Sequence, residues 1–85
     1  MNARVERLRA KLEGIAGVKS VHDLHVWSVS SGMVALSAHA IVPETARGQT
    51  VLESACALLS TMGIHHVTIQ IEQRDICADD AHIHP

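Results

Sequence analysis

Histidines inside strand-like segments are the residues of this chain best suited to chemistry. Residues 21–27 read Val-His-Asp-Leu-His-Val-Trp, residues 37–39 read Ser-Ala-His, and residues 65–72 read His-His-Val-Thr-Ile-Gln-Ile-Glu. Imidazole is the commonest protein ligand for zinc and similar metals, and carboxylate often accompanies it. Seven His among 85 residues are more than a small core needs. The pattern predicts a transition-metal site.

His22 and His39 form the central pair of this predicted site, and the register of a hairpin decides whether they meet. The run Ser-Ser-Gly at 30–32 is the turn signal between their strands. A two-residue loop beginning at position 30 places His22 directly opposite His39. A loop beginning at position 31 places it opposite Ile41, with His39 as a diagonal neighbour. Either loop keeps both imidazoles on one face, about 4.5–8 Å apart at the backbone, whereas a three-residue loop would separate them.

Further ligands are available near the end of the chain. Glu72 ends the third predicted strand on its polar face and offers a carboxylate. Cys77 could fold back as a thiolate or serve as a small apolar residue. His82 and His84 lie in a polar tail and could bind locally or complete a site in trans. Two His, one carboxylate and a fourth ligand or water make a tetrahedral set for zinc.

Other residues of the same types have alternative interpretations. His25 is predicted to lie on the face opposite His22, as a buried, hydrogen-bonded residue rather than a ligand. Cys56 is predicted to be a small core residue. Asp23 is interpreted as a turn residue or as a group that orients a ligand. The adjacent pair at 65–66 is either solvated surface or a source of ligands.

Hydrophobic periodicity predicts the elements that must position these residues. Apolar residues at spacings of three and four predict two amphipathic helices, and Val-rich or alternating segments predict three strands. Gly14 or Gly17 would end the first helix and Gly63 the second. The predicted order is helix 5–15, strand 20–29, strand 33–42, helix 51–62, strand 64–72 and a flexible tail at 73–85. This is an α+β fold, an open αββαβ two-layer sandwich with both helices on one sheet face.

Composition limits the classes of function. Residues 1–85 are expected to form a single domain, and its core has no Phe or Tyr and only one Trp. Such a small core usually needs a metal or self-association. The net charge of −2 argues against a nucleic-acid partner, and the apolar runs are too short for this chain to insert into a membrane. Two Cys make no disulfide framework and indicate a reducing compartment.

The three histidine-bearing motifs, in this order, resemble the cytoplasmic C-terminal domain of cation diffusion facilitator transporters, most closely the bacterial cobalt-zinc-cadmium efflux branch. The resemblance covers about residues 5–77. It implies a ferredoxin-like, metallochaperone-like fold and a V-shaped homodimer that binds metal near its interface. It also implies attachment to a six-helix membrane domain of the same chain, which exchanges divalent metal for protons, on the cytoplasmic side of the inner membrane.

The resemblance implies His22, His39 and Glu72 as ligands. The chain departs from the pattern of some members, which have a further His where this sequence has Gln70 and another in the region of residues 50–52. A two-metal site of that kind is therefore not implied. Compensating ligands would come from the C-terminal segment, at Cys77, His82 and His84.

The predicted function is that of a regulatory domain of a metal efflux transporter, which binds zinc, with cadmium, cobalt or nickel as alternatives. A freestanding metal chaperone or buffer is the main alternative, but the Cys-x-x-Cys of metal-transferring chaperones is absent. A small-molecule sensor of similar topology is another. An enzyme is not expected, because the sequence has no His-Glu-x-x-His or similar motif.

Overall fold

The computed structural model of the protein describes residues 3–74. Its elements follow the predicted order, with one additional 3-10 turn before the second helix. They are α1 (Ala3–Glu13), β1 (Ser20–Ser30), β2 (Met33–Ile41), the 3-10 turn (Thr45–Arg47), α2 (Gly48–Ser60) and β3 (His66–Glu72). The predicted α+β class and the αββαβ order are confirmed. Neither helix has the length and apolarity needed to cross a membrane in this part of the chain.

The two helices form because their apolar residues recur with helical spacing. Leu8 and Leu12 are buried from α1, and Val51, Ala55 and Leu59 are buried from α2. Burial of each large side chain stabilises the fold by about 1.5–3 kcal/mol. Gly63 ends α2 with φ of +79°, a left-handed conformation that glycine adopts without steric cost.

The sheet has the strand order β1-β2-β3. β1 and β2 are antiparallel and form a hairpin, whereas β2 and β3 are parallel. Parallel neighbours need a crossover connection, and α2 provides it. The central position of β2 places His39 between the strands that contribute His22 and Glu72.

The hairpin register differs from what its loop alone would give. Ser30 pairs with Met33, so the loop begins at position 31, and the sequence then predicts His22 opposite Ile41. Instead His22 pairs directly with His39, the other of the two predicted registers, and only the loop position predicted for that register is wrong. Two β-bulges lie in β1, between residues 22 and 25 and between residues 28 and 30. Each adds one residue to β1, so together they move the register by two residues.

Both helices pack on one sheet face, as predicted. The core joins apolar residues of the helices to those of β1 and β2, and its members include Leu8, Leu12, Val21, Leu24, Leu36, Ala38, Ala40, Val51, Ala55 and Leu59. Cys56 is a correction: it is exposed rather than part of this core. It follows Ala55 by one residue, a rotation of about 100° around the helix, and therefore leaves the buried stripe.

Candidate metal centre

One ligand-type side chain from each strand converges on the sheet face that the helices leave open. His22 of β1 is paired with His39 of β2, and Glu72 of β3 is paired with Ile41, two residues beyond His39. One donor atom from each of His22, His39 and Glu72 lies within 4.8 Å of the other two. The strand register thus brings together three of the six metal ligands predicted from the sequence.

The distances between these donors suit a small divalent cation. His22 Nε2 lies 3.3 Å from Glu72 Oε1, and His39 Nδ1 lies 2.8 Å from Glu72 Oε2. Zinc binds imidazole nitrogen and carboxylate oxygen at about 2.0–2.2 Å, so two donors in a tetrahedral shell are about 3.3 Å apart. The imidazole rings have centroids 4.9 Å apart and an interplanar angle of 72°. The donor chemistry and its spacing therefore fit zinc.

The carboxylate of Glu72 is buried and has polar partners. Its side chain is only 4% exposed, and burial of an unpaired carboxylate is strongly unfavourable. The Gln70 side-chain amide donates a hydrogen bond to Glu72 Oε2 at 2.8 Å. The imidazoles of His22 and His39 lie beside Oε1 and Oε2 of the same carboxylate. Gln70 therefore orients the carboxylate towards the two histidines.

Asp23 is a fourth ionisable group beside the two imidazoles. Its Oδ2 lies 3.4 Å from His22 Nδ1 and 3.8 Å from His39 Nδ1. Asp23 has φ of +52°, the only positive value of a non-glycine residue among residues 3–74, and it lies in the bulge that follows His22. The sequence alone allowed a turn or an orienting role. The signal in the sequence is the readiness of aspartate to adopt positive φ, but nothing in it marks the position of a bulge.

His25 is a correction caused by the same bulge. It was predicted to be buried on the face opposite His22, but it is exposed and pairs with Ser37. The extra residue in β1 reverses the alternation, so His25 follows His22 onto the open face. There it lines a shallow groove with neighbours from β2 and β3, namely Ser37, His39, Thr68 and Gln70.

The remaining candidates do not join this cluster within residues 3–74. His65 and His66 are exposed, and the imidazole Nδ1 of His65 lies 3.4 Å from the Ser60 hydroxyl. The predicted ligands of the C-terminal segment, Cys77, His82 and His84, lie outside the described residues.

Comparison with known proteins identifies the family to which the chain belongs. A model of the cytoplasmic domain of cation efflux proteins matches residues 2–74. A cadmium, cobalt and zinc/H(+)-K(+) antiporter of Bacillus subtilis (strain 168) is 39% identical over 74 residues, which are 84% of this chain and 24% of that protein. A probable zinc transporter protein of Dictyostelium discoideum is 40% identical over 79 residues, 88% of this chain and 14% of that protein. The chain thus spans about a quarter or less of these relatives.

A solved structure has the same fold. The "Metal-bound C-terminal domain of the CzcD transporter from Cuprividus metallidurans" superimposes with a TM-score of 0.71 at 35% sequence identity, covering 80% of this chain and 96% of that one. The shared fold is the metallochaperone-like arrangement predicted from the sequence. On the strength of the family match and of these relatives, the chain belongs to the cation efflux protein family, as a cytoplasmic domain.

Proposed function

We propose that this domain binds zinc through His22, His39 and Glu72, and forms a homodimer that biases the conformation of a membrane transport domain in the same full-length chain. The observation that carries the proposal is the convergence of three donors, one from each strand, within 4.8 Å. Two imidazoles and one carboxylate leave a fourth position for water or another ligand. Cys77, His82 and His84 are our candidates for additional ligands.

The choice of zinc rests on the donor set and on the relatives. Imidazole nitrogen and carboxylate oxygen accept zinc, cobalt, cadmium and nickel, and affinity alone does not separate these metals. The Bacillus subtilis relative is a cadmium, cobalt and zinc antiporter, and the solved C-terminal domain is metal-bound. We therefore rank zinc first, with the other three divalent ions as competitors for the same donors.

The proposed dimer uses the distal part of the β1–β2 hairpin. Trp27, Val29 and Met33 lie there and are 48%, 57% and 38% exposed. Large apolar side chains grouped on a small domain indicate a surface for association. A second copy of this chain is the proposed occupant. In a two-fold interface each apolar contact occurs twice. Burial of these side chains in the dimer would also add to a hydrophobic core that contains no Phe or Tyr.

Strand β1 links the proposed metal binding to the proposed dimerisation. β1 contains His22 near its start and Trp27 and Val29 near its end. Metal bound to His22, His39 and Glu72 would tie β1 to both other strands, so it would restrain the strand that also presents the apolar surface. This gives metal occupancy a physical route to the dimer and from there to the membrane domain.

Sedimentation tests the dimer. We expect twice the mass of one chain at micromolar concentration, and a change in Trp27 fluorescence when zinc is added. The Val29→Asp/Met33→Asp double variant should sediment as a monomer, because buried unpaired carboxylates oppose association. The Ser54→Asp/Ala57→Asp double variant adds the same number of charges at exposed positions of α2, so it is the matched control and should remain dimeric. A monomer both with and without zinc in the unaltered chain would exclude the proposed coupling.

A further inference from the structure

We infer that Asp23 is a positioning residue for the metal centre, which holds His22 with its Nδ1 proton donated to the Asp23 carboxylate and its Nε2 lone pair directed to the metal. The inference rests on the proposed zinc site and concerns a residue that contributes no donor to the three-residue cluster. Three observations support it: the position of Asp23 around the His22 ring, the exposure of its side chain and its backbone conformation.

His22 lies between two carboxylates. Its Nε2 is 3.3 Å from Glu72 Oε1, and its Nδ1 is 3.4 Å from Asp23 Oδ2. A neutral imidazole has one N–H donor and one lone pair, so a proton on Nδ1 leaves the lone pair on Nε2. That lone pair is on the side of the ring where the Glu72 carboxylate lies. A carboxylate behind a metal-binding imidazole fixes its tautomer and orientation and raises its basicity.

The geometry separates the role of Asp23 from that of Glu72. Glu72 lies 2.8 Å from His39 Nδ1, whereas Asp23 lies 3.8 Å from the same atom. The side chain of Glu72 is 4% exposed and that of Asp23 is 50% exposed. Glu72 is therefore placed among the donors, while Asp23 lies beside the Nδ1 atom of His22 with half of its side chain exposed.

The β-bulge is what allows this placement. In an uninterrupted strand the residue after His22 would point to the opposite face, towards the core beneath the helices, where a carboxylate would be unfavourable. Asp23 instead adopts φ of +52° and remains on the open side, while Leu24 takes the buried position. Aspartate and asparagine adopt this left-handed conformation more readily than most residues, and glycine adopts it freely.

This preference allows the side chain to be tested apart from the backbone. Asp23→Gly keeps the bulge conformation but removes the carboxylate, and Asp23→Asn keeps the conformation and an acceptor oxygen but removes the charge. Glu53→Gln, which neutralises an exposed carboxylate on α2, controls for the change in net charge. Zinc affinity is measured for the 85-residue chain by competition with a chromogenic chelator near neutral pH.

We expect Asp23→Gly to weaken zinc binding by roughly 10–100-fold, the usual effect of losing such a partner. Asp23→Asn should have a smaller effect in the same direction, and Glu53→Gln should bind as the unaltered chain does. The melting temperature of the metal-free Asp23→Gly chain should not fall, since glycine suits the bulge. Equal zinc affinity in Asp23→Gly and Glu53→Gln would overturn the inference.

Nitrogen-15 NMR of the zinc-loaded chain gives a readout that a purely structural role would not change. The His22 Nδ1 proton should be observable and protected from solvent exchange in the unaltered chain, and should exchange rapidly in Asp23→Gly. Rapid exchange in the unaltered chain would contradict the hydrogen bond and overturn the inference, even if zinc binds. Absence of zinc binding to the unaltered chain would instead refute the proposed function itself, so the two failures are distinguishable.

Discussion

The His22→Ala/His39→Ala double variant is expected to lose the tightest zinc site, with affinity reduced by about ten-thousandfold. A four-ligand structural zinc site has a binding free energy of about 10–16 kcal/mol, roughly 3 kcal/mol per ligand. Two missing imidazoles therefore remove about 6 kcal/mol, and every 1.4 kcal/mol is about tenfold in affinity. Isothermal titration calorimetry of the 85-residue chain, with a competing chelator to reach tight affinities, measures the loss.

The chain offers a matched control for this experiment. The His65→Ala/His66→Ala double variant also removes two imidazoles, but from exposed positions outside the three-residue cluster. It should retain the tightest site. Unchanged binding in the His22/His39 variant would exclude this site and would move the search for ligands to Cys77, His82 and His84.

Zinc is expected to raise the melting temperature of this domain by about 10 °C or more at neutral pH. A ligand that binds only the native state contributes RT ln(1 + [L]/Kd), about 2.7 kcal/mol at a hundredfold excess over Kd. Each 1 kcal/mol moves the melting temperature of a domain of this size by about 4–8 °C. Because the three donors come from β1, β2 and β3, the bound metal would resist separation of any strand from the sheet. Thermal unfolding followed by circular dichroism measures the shift.

The zinc-dependent stabilisation should fade on acidification. Metal binding requires neutral imidazole, so protons and zinc compete for the same nitrogen atoms. Because acid favours the protonated, metal-free histidines, the zinc-dependent shift is full at neutral pH and lost on acidification. The His22→Ala/His39→Ala variant should show little zinc-dependent shift at any pH. If zinc does not change the melting temperature of the unaltered chain at neutral pH, a stabilising metal site is contradicted.

Much of the fold follows from local sequence signals. Apolar spacing of three and four predicts both helices, and Gly63 ends α2 by its tolerance of positive φ. Alternation in residues 66–72 predicts a half-buried strand, and its polar face is the more exposed one up to Gln70. These signals are reliable because each depends on the period of one element and on which side of it must be buried. The αββαβ order and the helix-covered sheet face follow from them.

The composition of the candidate site is also readable from the sequence, because imidazole and carboxylate are recognisable by their donor atoms. The residue types and positions of His22, His39 and Glu72 suffice to predict them as ligands. Whether their donors meet depends on pairing between strands that are distant along the chain, and no local pattern decides it. The parallel placement of β3 beside β2 brings Glu72 to the hairpin, so the convergence of the three donors is a property of the sheet.

Tertiary structure alone decided the details of β1. Two bulges shift its register, so that His22 faces His39 although the loop begins at position 31. The first bulge also moves His25 to the open face and brings Asp23 beside the His22 ring. A β-bulge allows two paired strands to bury their apolar residues against the same helices when their residue patterns do not match. The periodicity within one strand therefore does not predict where a bulge lies. The identities of the proposed metal ligands lie in the sequence, whereas their register and the position of Asp23 beside them arise only when the three strands pair.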